Sequence, residues 1–372
     1  MNGSSFFFAG GGTGGHIYPA IAIAEQLIKL EPKAKIHFFI SGRNIDSQIL
    51  SKTNFEVIQL PARGFSACPG RLINFCRYFM KSCRIAKRTI SAANKPIVIG
   101  IGGFVAAPVC LAAYKLNVPI VLINVDTVPG RANKIIARWA KEIFVQFEET
   151  AQYFTKTKAD VSITGCPLRS GFDNPQPDRI VEQLALDKNK KILLITGASS
   201  GAESINNTIC SLLGKLTEFS DSWQIIHLAG LNNYEKVSKS YINSKISYKV
   251  LAYCDNMADL LSATDLVIGR AGAVSVAEYA AASTTIICMP YPYHKDRHQY
   301  LNADKLVKAG AAVIVDDLPD VKERARLLWE KLEQLLKDDE RRQQMVKGCE
   351  VIARKEAACK IAEKLVKTAV NK

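Results

Sequence analysis

The stretch Ser5–His16 reads SFFFAGGGTGGH and decides the fold of the first half of the chain. An apolar run of strand length leads directly into glycines, and a helical pattern begins after them. Glycines at such a turn let backbone N–H groups approach a phosphate, and the N-terminus of the following helix adds positive potential. The stretch therefore predicts a β-strand, a phosphate-type turn and an α-helix, in that order.

The glycine spacing alone also fits a dinucleotide site or a tight turn that binds nothing. A dinucleotide site requires an acid at the end of the second strand, about 20 residues further on. Here that strand ends in Ser41-Gly42-Arg43, without an acid. NAD is therefore disfavoured, and Arg43 keeps NADP only as a remote alternative.

The pattern restarts in the second half of the chain, where Ile192–Ala202 again runs from a strand through glycines into a helix. Apolar strand candidates alternate with helical patterns throughout, which predicts an α/β fold with parallel sheets. We expect two Rossmann-like domains facing each other across a cleft, with a linker at Asp173–Asp178. The strand candidates are Ser5–Ala9, Lys35–Ile40, Val57–Leu60, Ile97–Ile101, Ile120–Asn124, Glu142–Val145, Lys191–Thr196, Trp223–Leu228, Tyr248–Ala252, Leu266–Gly269, Thr285–Met289 and Ala312–Val315.

The composition excludes several classes of protein. The chain has 372 residues, of which 48% are hydrophobic and 23% charged, so a disordered or collagen-like protein is excluded. Its ten cysteines form no C-x-x-C pair and no metal-ligand spacing, which predicts reduced thiols and no bound metal or cofactor.

The N-terminus lacks the basic region of a signal peptide. The uncharged stretch from Ile97 to Tyr114 is broken by glycines and Pro108, so we expect a strand, a turn and a helix rather than a membrane span.

The charge distribution indicates an anionic partner. Lys and Arg number 49 against 35 Asp and Glu, a net charge of +14, and no acid occurs between Glu56 and Asp126. Within that span Gly70–Ile90 has a helical pattern, and at about 100° per residue its basic residues form one stripe flanked by apolar ones. The stripe and its flanks are Arg77, Lys81, Arg84 and Arg88 with Ile73 and Met80, and the opposite face, expected to pack on the sheet, is Leu72, Phe75, Phe79, Ala86 and Ile90. We expect this helix to contact an anionic membrane; a solvated surface helix is the alternative, and nucleic acid ranks lowest because stacking aromatics are missing.

Two further turns carry residues suited to a nucleotide-sugar. After the strand at Leu266 the chain reads Arg270-Ala271-Gly272, and a helix follows whose first amides suit phosphate oxygens. Glu278 on that helix is placed to accept hydrogen bonds from ribose hydroxyls, with helix charge complementarity as the alternative. Gln299, after a proline-rich loop, can read sugar hydroxyls through its amide.

In the first half, His16 at the helix entry is a candidate general base, and a capping histidine is the alternative. A second glycine turn, Gly102-Gly103-Phe104, follows another strand. Carboxyl ends of parallel strands are where open α/β sheets bind ligands. The two turns therefore predict an acceptor pocket that holds a phosphate.

Taken in order, these motifs resemble the MurG family, the N-acetylglucosaminyltransferases of peptidoglycan synthesis. The resemblance rests on Gly11–His16 with Pro19, Gly102–Val105, Gly197–Glu203, Asp255–Met257, Arg270–Ala273 with Glu278, and His294–Ala303, and it covers nearly the whole chain. It implies the two-Rossmann GT-B glycosyltransferase fold. It also implies an inverting transfer of N-acetylglucosamine from UDP-N-acetylglucosamine to lipid I at the cytoplasmic face of the bacterial plasma membrane.

The resemblance implies domains at 1–168 for the acceptor and 169–345 for the donor, with 346–372 returning to the first domain. It assigns the residues of the donor site as Arg169, Ser199, Cys254, Met257, Arg270, Ala273, Val274, Ser275, Glu278 and Gln299. On the acceptor side it assigns His16 as base and Thr13, Gly14, Gly15, Gly103, Phe104 and Asp126 around the diphosphate. The helix at Gly70–Ile90 resembles the family's membrane-docking patch.

One segment departs from the family pattern. Where the family usually has His-Glu-Gln-Asn, this chain has Ile123-Asn124-Val125-Asp126. This departure leaves open a related glycosyltransferase with another lipid acceptor. Two further alternatives also stay open: a UDP-N-acetylglucosamine 2-epimerase, which shares the fold, and a non-catalytic nucleotide-binding scaffold at the membrane.

Overall fold

A computed structural model describes residues 3–11, 14–64, 69–198 and 201–370. The chain divides into two compact units. Unit 1 comprises Met1–Arg169 and Glu356–Lys372, and unit 2 comprises Ser170–Lys355. Every cysteine among the described residues is present as a thiol.

Unit 1 is built on a seven-stranded parallel sheet with the order β3-β2-β1-β4-β5-β6-β7. The strands are β1 Ser5–Ala9, β2 Lys35–Ile40, β3 Glu56–Gln59, β4 Pro96–Gly100, β5 Ile120–Asn124, β6 Glu142–Val145 and β7 Asp160–Ile163. Its helices are α1 Gly14–Leu30, α2 Asn44–Leu50, α3 Pro69–Ser91, α4 Gly103–Lys115, α5 Arg131–Ile136 and, from the end of the chain, α14 Ala357–Val370.

Unit 2 repeats the design with a six-stranded parallel sheet of order β10-β9-β8-β11-β12-β13. The strands are β8 Lys191–Thr196, β9 Trp223–Leu228, β10 Ser247–Leu251, β11 Leu266–Gly269, β12 Thr285–Cys288 and β13 Ala312–Ile314. The helices are α6 Pro177–Gln183, α7 Glu203–Leu216, α8 Tyr234–Tyr241, α9 Met257–Ser262, α10 Ala273–Ala281, α11 His298–Lys308, α12 Val321–Lys337 and α13 Asp339–Ile352.

These strand orders confirm the prediction of two Rossmann-like α/β domains. Every predicted strand forms, with its ends within one residue of the expected positions. The prediction missed β7, a short strand at the edge of its sheet, where Ile163 is 55% exposed. An edge strand buries little apolar surface, so it lacks the continuous apolar run by which the central strands were recognised.

The uncharged stretch between Ile97 and Tyr114 forms β4, a glycine turn and most of α4, as predicted. Strand β4 is buried along most of its length, and α4 contains Pro108. Among the described residues, no helix is both long enough and apolar enough to cross a membrane.

Helix α3 has a partly different packing from the one expected. Ala86 and Ile90 are fully buried against the core of unit 1, whereas Phe75 and Phe79 are only partly buried. Leu72 is 38% exposed, so the prediction that it packs on the sheet is wrong. The N-terminal turns of α3 thus present apolar surface to solvent, together with Ile73 (63% exposed) and Met80 (47% exposed).

The end of the chain is divided between the units. Helix α13 lies in unit 2, and α14 packs against α1 in unit 1. Two hydrogen bonds fasten α14 to the sheet edge: the hydroxyl of Thr368 donates to the Glu142 carboxylate (2.8 Å), and the Lys364 ammonium donates to the Ser162 hydroxyl (2.9 Å).

A buried polar network joins α7, α8 and β9 in unit 2. The His227 ring is fully buried, with Nε2 3.0 Å from Oδ1 of Asn206 and Nδ1 3.0 Å from the Tyr241 hydroxyl. The Asn206 amide nitrogen donates to the carbonyl of Ala229 (2.9 Å), so its oxygen must accept, and the His227 proton therefore lies on Nε2. Burial lowers the pKa of His227 from 6.5 to about 3.

Because His227 stays neutral in the folded state but takes up a proton in the unfolded chain below pH 6.5, acid should destabilise unit 2. We expect the free energy of unfolding to fall between pH 6.5 and about 3, with a contribution from this residue approaching about 1.4 kcal/mol per pH unit. Urea unfolding at several pH values measures it. A Trp139→Phe background leaves Trp223 and Trp329 of unit 2 as the fluorescent reporters.

His227→Gln provides the comparison, because a glutamine amide can also donate at one end and accept at the other but does not titrate. The pH dependence of the variant should be shallower by one proton. Equal slopes for the two proteins would contradict the assignment.

Candidate active site

The first candidate site lies where the strand order of unit 1 reverses, at the carboxyl ends of the neighbouring strands β1 and β4. The turn after β4 approaches the turn after β1 closely. A Cβ on Gly103 would lie 2.9 Å from the carbonyl oxygen of Gly11, and the φ of Gly103 is +76°. Only glycine fits this position, because a side chain would meet backbone that cannot yield.

His16 lies half-buried in the first turn of α1, which begins at Gly14 and continues through Gly15. A Cβ on Gly102 would be 3.1 Å from its Nε2 atom, so the ring rests against the turn after β4. Phe104, the second residue of α4, is half-buried, and the Arg43 guanidinium lies 5.3 Å from its ring centre. Of the predicted acceptor residues, Thr13 falls outside the described residues.

Two polar groups that sequence reasoning missed support this turn. Asp46 on α2 is fully buried, accepts a hydrogen bond from the Ser41 hydroxyl (2.7 Å) and lies against Gly11. Asn133 on α5 is 6% exposed, and its amide nitrogen donates to Oδ1 of Asn124 (2.8 Å). Neither leaves a distinctive signal in the sequence, because Asn44 and Ser47 flank Asp46 with polar side chains, and Arg131 and Lys134 flank Asn133.

The segment that departs from the family pattern forms the end of β5 and the following turn. Asn124 is buried, and its amide nitrogen donates to the carbonyl of Asp126 (2.7 Å). The Asp126 side chain is half-buried. At this position the chain therefore has an amide pair, Asn124 with Asn133, where the family usually places a carboxylate.

The second candidate site lies at the corresponding reversal in unit 2, at the carboxyl ends of β8 and β11. Helix α10 begins at Ala273, and its N-cap Gly272 has no side chain with which to cap it. The side chains of Ala273 and Val274 are buried and that of Ser275 is half-buried, so the backbone amides are what this terminus offers to an anion. Ser199, predicted on the turn after β8, falls outside the described residues.

Two polar side chains accompany this terminus. Glu278 lies one turn further along α10 and is 5% exposed. The side-chain oxygen of Gln299 accepts the backbone N–H of Tyr291 (2.9 Å), which leaves its amide nitrogen to donate to a ligand. Gln299 can thus hold a sugar hydroxyl or carbonyl by donating to it.

Arg270 is anchored inside unit 2. It is 8% exposed, forms an ion pair with Asp317 (2.7 Å) and donates to the carbonyl of Met289 (2.8 Å) and the hydroxyl of Ser204 (2.8 Å). Asp317 in turn pairs with the buried Arg324 (3.4 Å). The network joins the loops after β11, β12 and β13 to α7, so Arg270 holds the turn before α10 in place through its own partners.

The remaining predicted donor residues lie at separate places. Cys254 is buried in the loop between β10 and α9, and Met257 begins α9. Arg169 belongs to unit 1, where its guanidinium lies 4.0 Å from the ring centre of Tyr18 on α1. Within the described chain, no group of three or more His, Cys, Asp or Glu side chains is arranged to hold a metal ion.

Comparison with known proteins defines the class. Residues 6–145 match the family model for the glycosyltransferase family 28 N-terminal domain, and residues 192–365 match that for its C-terminal domain. A UDP-GlcNAc 2-epimerase from Neisseria meningitidis, solved with UDP-GlcNAc bound, aligns over 99% of this chain and 100% of its own with a TM-score of 0.67 at 14% identity, a likeness of fold alone. The two family 28 domains of this chain, each with its glycine turns at a strand-order reversal, define a GT-B glycosyltransferase.

The particular family follows from full-length relatives. A UDP-N-acetylglucosamine–N-acetylmuramyl-(pentapeptide) pyrophosphoryl-undecaprenol N-acetylglucosamine transferase from Thermoanaerobacter sp. (strain X514) is 32% identical over 98% of this chain and 99% of its own. The crystal structure of MurG from Acinetobacter baumannii aligns over 98% and 99% with a TM-score of 0.71 at 26% identity. The chain belongs to this family of N-acetylglucosamine transferases.

Asp317→Asn should destabilise unit 2 and, because the turn before α10 loses its anchor, should also lower the affinity of the protein for UDP. Removing one partner of a buried ionic network costs about 3–5 kcal/mol, because the remaining charges lose their compensation. Urea unfolding and calorimetric titration with UDP measure the two effects.

Glu182→Gln is the matched control, since it removes the partner of Lys188 from an exposed pair on the surface of the same unit. Its effect should stay below about 1 kcal/mol. If Asp317→Asn has the same free energy of unfolding as the control and the parent's affinity for UDP, then Asp317 does not anchor Arg270.

Proposed function

We propose that this chain transfers N-acetylglucosamine from UDP-N-acetylglucosamine to the 4-hydroxyl of the muramoyl sugar of lipid I, with inversion, producing lipid II for peptidoglycan. The observation that carries the proposal is the full-length similarity to transferases named for this reaction. The site geometry supports it, because both halves of the chain offer backbone amides at a strand-order reversal.

On the donor side, the proposed role of α10 is to hold the diphosphate. Amides at the N-terminus of a helix favour negative charge, and this charge grows on UDP as the bond from the anomeric carbon to the phosphate oxygen breaks. Buried Glu278 would accept hydrogen bonds from the ribose, and the Gln299 amide would donate to the sugar. Arg270, through its ion pair with Asp317, would hold the turn before α10 in place. Cys254 and Met257 would border the uracil.

On the acceptor side, His16 would take the proton of the attacking hydroxyl. The ring lies half-buried beside two glycine turns, whose backbone can approach the diphosphate of the lipid carrier. The hydroxyl oxygen then bonds to the anomeric carbon, and UDP leaves with the electron pair of the broken bond.

We also propose that α3 brings unit 1 to an anionic membrane, on the cytoplasmic face where the lipid carrier presents its sugar. Its basic residues Arg77, Lys81, Arg84 and Arg88 are exposed, and Ile73 and Met80 beside them expose apolar surface. Basic charge beside exposed apolar side chains is the pattern of helices that lie in the interface of a bilayer.

The direct test of the reaction is transfer of radiolabelled N-acetylglucosamine from its UDP ester onto synthetic lipid I. Parallel reactions with other polyprenyl or diacylglycerol acceptors, and one without acceptor, separate the alternatives. Labelled lipid II supports the proposal. Transfer only to another lipid would identify a glycosyltransferase with a different acceptor. Epimerised donor in the reaction without acceptor would identify a 2-epimerase. UDP binding without turnover would identify a non-catalytic scaffold.

His16 and Glu278 should affect different kinetic constants. His16→Ala should lower kcat by about 10²- to 10⁴-fold, the usual worth of a general base, with little change in the KM for UDP-N-acetylglucosamine. Glu278→Gln should instead raise that KM by roughly tenfold, because hydrogen bonds to a charged group are lost. Steady-state kinetics with lipid I at saturation distinguishes the two. A full rate in His16→Ala would remove this residue from the chemistry.

The membrane role predicts a charge-dependent binding of vesicles. Lys81→Gln with Arg84→Gln removes two positive charges of about 1 kcal/mol each, so partitioning onto vesicles containing phosphatidylglycerol should weaken about 30-fold. Flotation at low and high salt measures it.

Lys239→Gln with Lys245→Gln makes the same change in net charge on exposed positions of unit 2. This control should float like the parent protein. Equal losses in both pairs would mean that net charge, and not α3, governs the attraction.

A further inference from the structure

Unit 1 contains a buried hydrogen-bond acceptor that the fold does not use. Asn133 is 6% exposed, and its amide oxygen Oδ1 has no hydrogen-bond partner among the described residues. Leaving such a group unpaired costs about 1–3 kcal/mol. Such an atom is a candidate to bind a functional partner only where a hydrogen-bond donor lies within reach of it.

The orientation of this amide follows from its neighbours. The Asn124 amide nitrogen donates to the carbonyl of Asp126 (2.7 Å), so the oxygen of Asn124 must face the other way and accept. It accepts from the amide nitrogen of Asn133 (2.8 Å). The oxygen of Asn133 therefore points away from Asn124, and an amide flip would place two oxygens together.

The direction in which it points is that of His16. A Cβ on Gly102 would lie 3.2 Å from Oδ1 of Asn133 and 3.1 Å from Nε2 of His16, so these two atoms are at most 6.3 Å apart. Gly102, with a φ of +122°, adds no side chain between them. Because Asn133 is held by Asn124, a change in the His16 side-chain torsions is the movement that would join them.

We propose that Asn133 is a positioning residue for the transfer reaction, and that its amide oxygen accepts the N–H of His16 once the ring has taken the acceptor proton. The inference rests on the proposed function, in which His16 is the base. As the hydroxyl oxygen attacks the anomeric carbon, its proton passes to Nε2 and UDP departs with the bonding electrons. The new N–H then has a fixed, buried acceptor, which stabilises the imidazolium.

Charged groups on the surrounding elements also influence the protonation of His16, so their influence must be distinguished from that of Asn133. They are Arg43 and Asp46 at α2, Asp126 after β5, and Arg169 over Tyr18 on α1. None of them is changed in the experiment below, so their contributions are the same in every protein compared.

Two substitutions should move the pH–rate profile in opposite directions. Asn133→Leu removes the acceptor, so kcat should fall about 10- to 100-fold, the worth of a hydrogen bond to a charged group, and the acid limb of kcat/KM should move to lower pH. Asn133→Asp offers a carboxylate to the imidazolium, so the acid limb should move to higher pH by about one unit, with activity recovered above it. The KM for UDP-N-acetylglucosamine should stay unchanged in both.

Ser82→Ala is the matched control, because the Ser82 hydroxyl is also buried in unit 1 and lacks a partner among the described residues. Its removal should leave kcat and the acid limb where they are. Loss of rate in both Asn133 variants without any movement of the limb, or an unchanged rate in Asn133→Leu, would overturn the proposal.

NMR titration of the His16 ring in the substrate-free protein makes the test independent of the reaction. Its protonation midpoint should fall in Asn133→Leu and rise in Asn133→Asp. If the parent protein transfers no sugar but these midpoints move as expected, the proposed function fails and the coupling of Asn133 to His16 stands. If the midpoints do not move, the coupling fails whatever the activity.

Discussion

The constraint on which unit 1 depends is the close approach of two backbone turns where the order of its parallel strands reverses. The neighbouring strands β1 and β4 end side by side, and their turns come within van der Waals distance, so that a Cβ on Gly103 would strike the carbonyl of Gly11. Backbone amides are thereby gathered at one edge of the sheet, beside the N-terminus of α1. Unit 2 offers the amides of α10 at the corresponding reversal, so each unit has a backbone surface suited to one of the two diphosphates in the proposed reaction.

Glycine turns alone would be too pliable to hold this geometry, and buried polar networks stabilise it from beneath. Asn206 and His227 link the start of α7 to β9, whereas Arg270 and Asp317 tie the turn before α10 to its neighbours. Asn124 and Asn133 do the same in unit 1 with neutral groups. Each network is buried where an unpaired group is costly, so each favours one arrangement of its loop over the alternatives.

The amide pair in unit 1 gives a physical reading of the segment in which this chain departs from its family. A carboxylate at position 124 could accept from Asn133 but could not donate to the carbonyl of Asp126. The amide of Asn124 does both, so the orientation of Asn133 is specified without a buried charge. This chain therefore has an ordered pair beside His16 that carries no buried charge.

The amino-acid sequence by itself determined the strands and their alternation with helices, because apolar runs buried on both faces and glycines at their ends are local features. It also determined the basic stripe of α3, which follows from helical spacing. Other features depended on tertiary structure: the exposure of Leu72, the edge strand β7, the anchoring of Arg270 by Asp317, and the placement of Asn133 and His16 beside Gly102. The physical reason is that a hydrogen bond or an ion pair requires two groups distant in sequence to reach a particular separation, and only the packing of the sheets brings them there.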